Sequence, residues 1–228
     1  MSSHIVIDAR RIRDFGIGTY IRSLLYALGG IDRDNQYTLV SAASEVSMLA
    51  GLPENFRSAV YARNDHSALD HVAFPLFLRG LSPDLVHIPL ARVPLLMIKP
   101  YVVTIHDMAN LLFEEETSNF RMQLRRYRFG RGLRRAARVV AVSEATKRDV
   151  ERLMGVPSSR IARVYNAPDP AFFAPVAALG GQVQQRILER YQIEYPFILY
   201  AGNIRRHKNI PRLVAAPVKP AKTNPSRR

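Results

Sequence analysis

The chain has 228 residues, 47% of them hydrophobic and 23% charged, with a net charge of +14, six histidines and no cysteine. That is enough chain to bury one substantial core and part of a second, and it is too apolar for a disordered polymer. The lack of cysteine excludes a disulfide scaffold and a thiolate metal site and suits a reducing cytosol, and no run approaches the roughly 18 continuous apolar residues of a membrane span.

Met1 to His4 leads into a strand with no apolar leader, so the expectation is a cytoplasmic protein. A β-branched run at His4–Asp8 predicts the first strand, followed by a helix over Ile17–Leu28 and strands over Tyr37–Ser41 and Arg57–Tyr61. A helix over His66–Leu78 precedes strands at Leu85–Ile88 and Tyr101–Ile105. A helix over Asn119–Ala137 then leads to a strand at Arg138–Val142. The best-marked helix is Glu144–Met154: Ser143 stands at its N-cap, Gly155 closes it, and Pro157 prevents continuation. A strand at Ile161–Tyr165 follows. Pro168 to Gly181 reads as a connection, leading to a helix over Gln182–Tyr191 and a buried strand at Phe197–Ala201. Near-continuous apolar strands alternating with helices predict an α/β fold: a Rossmann-like parallel sheet with helices on both faces.

The positive charge is concentrated in two places. Arg121 to Arg138 holds eight arginines and no acid, and the stretch from Pro217 onward adds four cations and no acid. Met122, Phe129, Leu133 and Ala136 share one face of the first segment, with arginines towards the other. A basic amphipathic helix of this kind fits either a solvated outer helix or peripheral contact with an anionic membrane, whereas Gly130 and Gly132 weaken the helix itself. Specific nucleic-acid binding is not expected, because no recognition module or interleaved aromatic platform is present. The prolines after Ala216 predict an irregular basic tail over 217–228.

In open parallel sheets, ligands bind beyond the carboxyl ends of the strands. That rule directs attention to Arg10 through Gly18, to His106 and Asp107, to Ser143, to Asn166, and to Gly202 through Lys208. The last of these reads as an anion-binding corner. Gly202 turns the chain, Arg206 and Lys208 cluster beside it, and a helix begins near Asn209 with Pro211 in its first turn. Gly16 and Gly18 either let backbone approach a phosphate or sugar or simply form a strand–helix turn. His106 is either a ligand-facing imidazole or a strand-end histidine paired with a carboxylate. Ser143 reads as a cap, and Asn166 as a cleft residue or a turn residue. The histidine spacings match no metal site.

Four segments in order, Asp8-Ala-Arg…Phe-Gly-Ile-Gly-Thr-Tyr-Ile21, Val102-Val-Thr-Ile-His-Asp107, Val139-Val-Ala-Val-Ser-Glu144 and Tyr200-Ala-Gly…His-Lys-Asn209, resemble the amino-terminal domain of retaining GT-B glycosyltransferases of family four. The resemblance implies transfer of a sugar from a nucleotide-sugar donor to a saccharide or lipid-linked acceptor, often in polysaccharide biosynthesis, with no further cofactor and no metal. It implies His106 as the catalytic residue and Gly16, Gly18, Gly202, Arg206 and Lys208 as donor and phosphate contacts, with Asp107, inside the quoted segment, and Asn166, by its place after a strand, as possible cleft positions. The implied organisation is an acceptor-side domain over 1–180, a linker helix with the first βα unit of a truncated donor domain over 181–216, and the tail. Two departures stand out: the family's Glu-x7-Glu segment is missing, and Asn203 follows the glycine where many members carry Arg. The expectation is therefore a fragment inactive by itself, with a non-catalytic remnant or a module binding anionic lipid or nucleic acid as the alternative.

Overall fold

The computed structural model describes residues 2–63, 68–90, 92–98, 100–108, 120–168, 172, 181–194, 197–202, 204 and 206–216. The chain divides into two compact units, Met1–Asp169 and Pro170–Arg228. Most of the expected connection and the whole of the tail over 217–228 lie outside the described residues.

The first unit is built on β1 (His4–Asp8), β2 (Gln36–Ser41), β3 (Phe56–Val60), β4 (Leu85–Ile88), β5 (Tyr101–Ile105), β6 (Arg138–Ala141) and β7 (Ile161–Arg163). They form one sheet in the order β3-β2-β1-β4-β5-β6-β7, with every pairing parallel. This is the α/β Rossmann-like sheet that the strand pattern predicts. Alternation along the strands sends apolar groups to both faces. On one face Ile7 and Leu39 pack with Ile21 and Leu25 of α1 (Phe15–Ile31). On the other, Val6, Val86, Ile88, Val103 and Ile105 meet three helices. These are α2 (Asp70–Gly80), through Phe74 and Leu78; α3 (Phe120–Arg135), through Leu133; and α4 (Glu144–Met154), through Val150 and Met154.

The sheet grows from β1 to β3, returns across β1, and then grows the other way to β7. Right-handed crossovers put helices on opposite faces for opposite growth directions, so α1 and the α3–α4 pair cover different sides. The reversal also opens a crevice between β1 and β4 at their carboxyl ends, the place where such sheets bind ligands.

Local chemistry fixes the helix ends. Ser143 Oγ accepts from the Thr146 N–H at 3.0 Å, and Gly155 closes α4 at φ 64°. α3 runs straight through its two glycines. They are approach points: a Cβ on Gly132 would lie 2.8 Å from Val93 Cβ, and the Tyr101 hydroxyl donates to the Gly132 carbonyl at 2.7 Å.

The second unit contains α5 (Gly181–Arg190), a 3-10 turn at Arg206–Lys208, and α6 (Ile210–Ala215). The buried strand expected at Phe197–Ala201 does not form. These residues make no ladder, and Phe197, Ile198 and Leu199 are exposed. A strand needs neighbours for its backbone groups, and no strand of this unit is present among the described residues.

One ionic network closes the end of β1. Arg10 Nη2 and Nε donate to the two oxygens of Asp8 at 2.8 and 2.9 Å, and Nη1 donates to Asp70 Oδ2 at 3.0 Å. The other Asp70 oxygen accepts from the Tyr61 hydroxyl at 2.8 Å, and the guanidinium lies 3.6 Å from the Phe74 ring centroid. Burial by itself would lower the Arg10 pKa, but the hydrogen bonds and charges of Asp8 and Asp70 outweigh it and raise it. Removing one member leaves the others charged and buried, which costs about 3–5 kcal/mol. Arg10→Leu should therefore lower the free energy of urea unfolding by that amount. A loss below about 1 kcal/mol would show that the network is not structural.

Candidate active site

The loop after β1 delivers the start of α1 to the crevice. Asp14, at the N-cap, is extended and makes no side-chain cap, and the Gly18 N–H bonds to the Asp14 carbonyl at 2.8 Å. The two candidate glycines separate in role. A Cβ on Gly18 would lie 2.4 Å from the Ile12 carbonyl oxygen, so only glycine lets the helix close on the loop. Gly16 is exposed, and nothing lies within 4 Å of its absent Cβ. It leaves the first turn of the helix open to an approaching group.

His106 follows β5 directly and is half-buried. Its Nε2 donates to the Pro89 carbonyl at 3.3 Å, which leaves Nδ1 as the acceptor of the neutral ring. The Tyr20 ring of α1 stands edge-to-face against it, 4.8 Å between centroids and 82° between planes. Tyr20 in turn shares a 3.2 Å hydroxyl–hydroxyl bond with Thr104, and Thr104 Oγ1 lies 2.9 Å from His87 Nε2. From the far side, Thr146 Oγ1 donates to the His106 carbonyl at 3.2 Å and is itself bonded by Ser143. Burial lowers the His106 pKa, opposed by the Pro89 bond and the charge of Asp107. Burial, with the charge of His106 second, pushes His87 down to about 4. Near neutral pH both imidazoles are uncharged. His106 can accept a hydroxyl proton at Nδ1, the behaviour of a group that orients or deprotonates a sugar hydroxyl.

The other expected positions fall as follows. Asp107 is exposed beside His106, and its charge acts on that ring. Asn166 is exposed after β7, the edge strand of the sheet. Gly202, Arg206 and Lys208 belong to the second unit. There Gly202 has φ 156°, and the two cations are exposed on the turn before α6, which carries Pro211 at its start. Of the α3 arginines, Arg131 and Arg134 bond the carbonyls of Leu95 and Met154; Arg138, the first residue of β6, bonds that of Ser159. Among the described residues no group of three or more His, Asp or Glu has metal-binding geometry, and no helix is long and apolar enough to cross a membrane.

The family model described as Glycosyltransferase Family 4 matches residues 16–172, which span α1, the strand-end His106 and the Ser143 cap. The chain belongs to glycosyltransferase family 4. Among solved structures, it is similar to HepE of Anabaena, determined in complex with UDP-glucose. The identity is 14%, the TM-score is 0.54, and the match covers 82% of this chain and 50% of that one. A glycosyltransferase from Rickettsia africae matches at 14% identity and TM-score 0.49, over 85% of this chain and 50% of that one. The chain thus spans about half the length of these structures. No curated protein matches it.

Four side chains of the site are given no role by the sequence reading: Arg10, Tyr20 and Thr104, although they stand inside the segments that carry the resemblance, and His87, which stands outside them. Tyr20 sits four positions after Gly16, on the helix that starts at the crevice, and His87 interrupts an apolar strand. A polar residue inside such a run is the available signal.

Two measurements test these assignments. Gly18→Ala should cost about 1–3 kcal/mol in urea unfolding through overpacking, whereas Gly16→Ala should change stability by no more than about 0.5 kcal/mol. Equal effects would contradict their separation. His87 binds fewer protons folded than unfolded between its folded value near 4 and the ordinary 6.5. Stability therefore falls as pH drops through that window, by about 2 kcal/mol from pH 7 to pH 5. The slope of unfolding free energy against pH should flatten by that amount in His87→Gln, and an unchanged slope would count against a buried neutral His87.

Proposed function

We propose that this chain is the acceptor-side portion of a retaining glycosyltransferase that takes a sugar from a nucleotide-sugar and passes it to a saccharide or lipid-linked acceptor in the cytoplasm. The observation that carries the reading is the convergence at the carboxyl ends of β1, β4 and β5. There the open first turn of α1 at Gly16 and the neutral His106, held by Pro89 and Tyr20, lie in a domain of family 4. In this reading His106 Nδ1 accepts from a sugar hydroxyl and orients it. Gly16 offers backbone N–H groups of a helix start to the donor's phosphates. In the second unit, the turn of Gly202, Arg206 and Lys208 has the charge to bind a diphosphate, the group whose neutralisation stabilises such a transition state. A lipid-linked acceptor accords with the exposed Arg125, Arg126 and Arg135 of α3, a basic surface suited to anionic lipid.

By itself the chain is expected to be inactive. It spans half of the matched structures, and the sequence carries no Glu-x7-Glu segment to hold the donor, whose orientation supplies a large part of the rate enhancement. Donor consumption measured over a panel of nucleotide-sugars, with saccharide and lipid acceptors, should show no turnover for the purified chain. Turnover abolished by His106→Ala would overturn the inactivity while supporting the site. Turnover indifferent to His106→Ala would overturn both.

A further inference from the structure

Alternation along β5 sends Val102 and Thr104 to one side of the sheet. His87 of β4 is the register partner of Val102 and of Ile7 on β1, so its side chain emerges on that same side, the one that α1 covers. Thr104 is fully buried there. His106, two residues further along the chain, meets the same helix through Tyr20.

The Thr104 hydroxyl has one proton for two polar neighbours. Its Oγ1 lies 2.9 Å from His87 Nε2 and 3.2 Å from the Tyr20 hydroxyl, so it donates to one and accepts from the other. The Tyr20 side chain is thereby held at both ends, by its backbone on α1 and by its hydroxyl on β5. A ring held in that way has a fixed plane, and that plane meets the His106 ring edge-to-face at 82°. His106 gains from such a wall: its Nε2 reaches the Pro89 carbonyl at 3.3 Å, a long bond that by itself holds the imidazole loosely. Two apolar residues of the same shape would serve packing equally well in place of His87 and Thr104. The buried polar pair instead supplies a direction.

We propose that Thr104 is a positioning residue for His106: anchored on His87, it fixes the Tyr20 ring, and that ring keeps the imidazole turned so that Nε2 donates to Pro89 and Nδ1 is left to accept. What His106 then does in transfer rests on the glycosyltransferase reading above; its positioning by Thr104 does not.

The experiment follows the ring nitrogen and carbon NMR signals of the full chain with labelled histidine, which report the tautomer and the titration midpoint of each imidazole. His106 is expected in the Nε2–H form. Thr104→Val keeps the volume and removes the hydroxyl, whereas Tyr20→Phe keeps the ring and removes its tether. Each should mix in the Nδ1–H form. Each should also raise the His106 midpoint by about half a pH unit, because burial is the main cause that lowers it and the wall has loosened. The charges that bear on this ring, those of Asp107 and His87, are kept in every variant. Thr104→Ser, which returns the hydroxyl, should restore both signals. Where Thr104→Val fails to fold, Tyr20→Phe decides. His4, at the other end of β1 and bonded to Thr38, serves as the control. Changes at His106 with His4 unaltered support the proposal, and equal changes at both rings mean general loosening and overturn it. His106 signals that stay unchanged in both variants, or a Thr104→Ser chain that behaves like Thr104→Val, also overturn it. No readout involves sugar transfer, so a failed glycosyltransferase reading leaves these signals as they are.

Discussion

The fold depends on one buried cation. Arg10 lies immediately beyond β1 with Asp8 on one side and Asp70 on the other, all three nearly inaccessible to solvent. Burying such charges costs several kcal/mol per ion and is repaid only when geometry is good and the remaining donors are satisfied. The guanidinium fork meets that demand: two nitrogens bind the two oxygens of Asp8, a third binds Asp70, and the flat face rests on Phe74. Lysine has no such fork. The network ties the end of β1 to the start of α2, sixty residues later in the chain. It thereby sets both the loop that delivers α1 and the first turn of α2, which carries His71.

From that anchor α1 has two duties. Its apolar stripe, Ile21 and Leu25, covers one face of the sheet, while its first turn and Tyr20 face the strand ends. The close approach at Gly18 couples these duties, because any shift of the helix to relieve the Ile12 carbonyl would also move Tyr20. Tyr20 then passes position on to His106 through ring contact, and its hydroxyl bonds Thr104, which bonds His87. A neutral His87 suits this chain of bonds: its Nε2 can accept from Thr104, whose hydroxyl can accept from Tyr20. Protonation would turn that nitrogen into a donor and force the chain to reverse.

Much of this was legible in the residues. The first seven strands follow from β-branched runs bounded by turn residues, and Ser143 and Gly155 mark α4 because capping is local chemistry. Long-range pairing is different. Nothing near Arg10 announces Asp70, and nothing near His87 announces Tyr20. The segment Phe197–Ala201 reads as a buried strand because its composition encodes burial, yet burial requires partner strands, and it lies exposed. Gly130 and Gly132 suggest a weak helix when propensity is considered alone. Packing overrides propensity where Val93 and Met154 crowd the space a Cβ would occupy. Gly16 and Gly18 look equivalent in sequence, and only the position of the Ile12 carbonyl separates them.

The arginines of α3 show how a basic segment serves packing and field together. Arg134 caps the last carbonyl of α4, where a cation also meets the negative end of the helix dipole. Arg131 holds the carbonyl of Leu95, and Arg138, just past the helix at the start of β6, holds that of Ser159. A hydrogen bond to a neutral carbonyl fixes a guanidinium without cancelling its charge. These groups therefore keep their positive field while losing the freedom that exposed lysines would retain. Arg131 in particular fixes the loop whose Leu95 N–H bonds His71, so this helix is tied to α2 through Leu95. A positive surface built in this way needs little reorganisation when an anion arrives, and preorganisation of this kind raises the affinity gained from each contact.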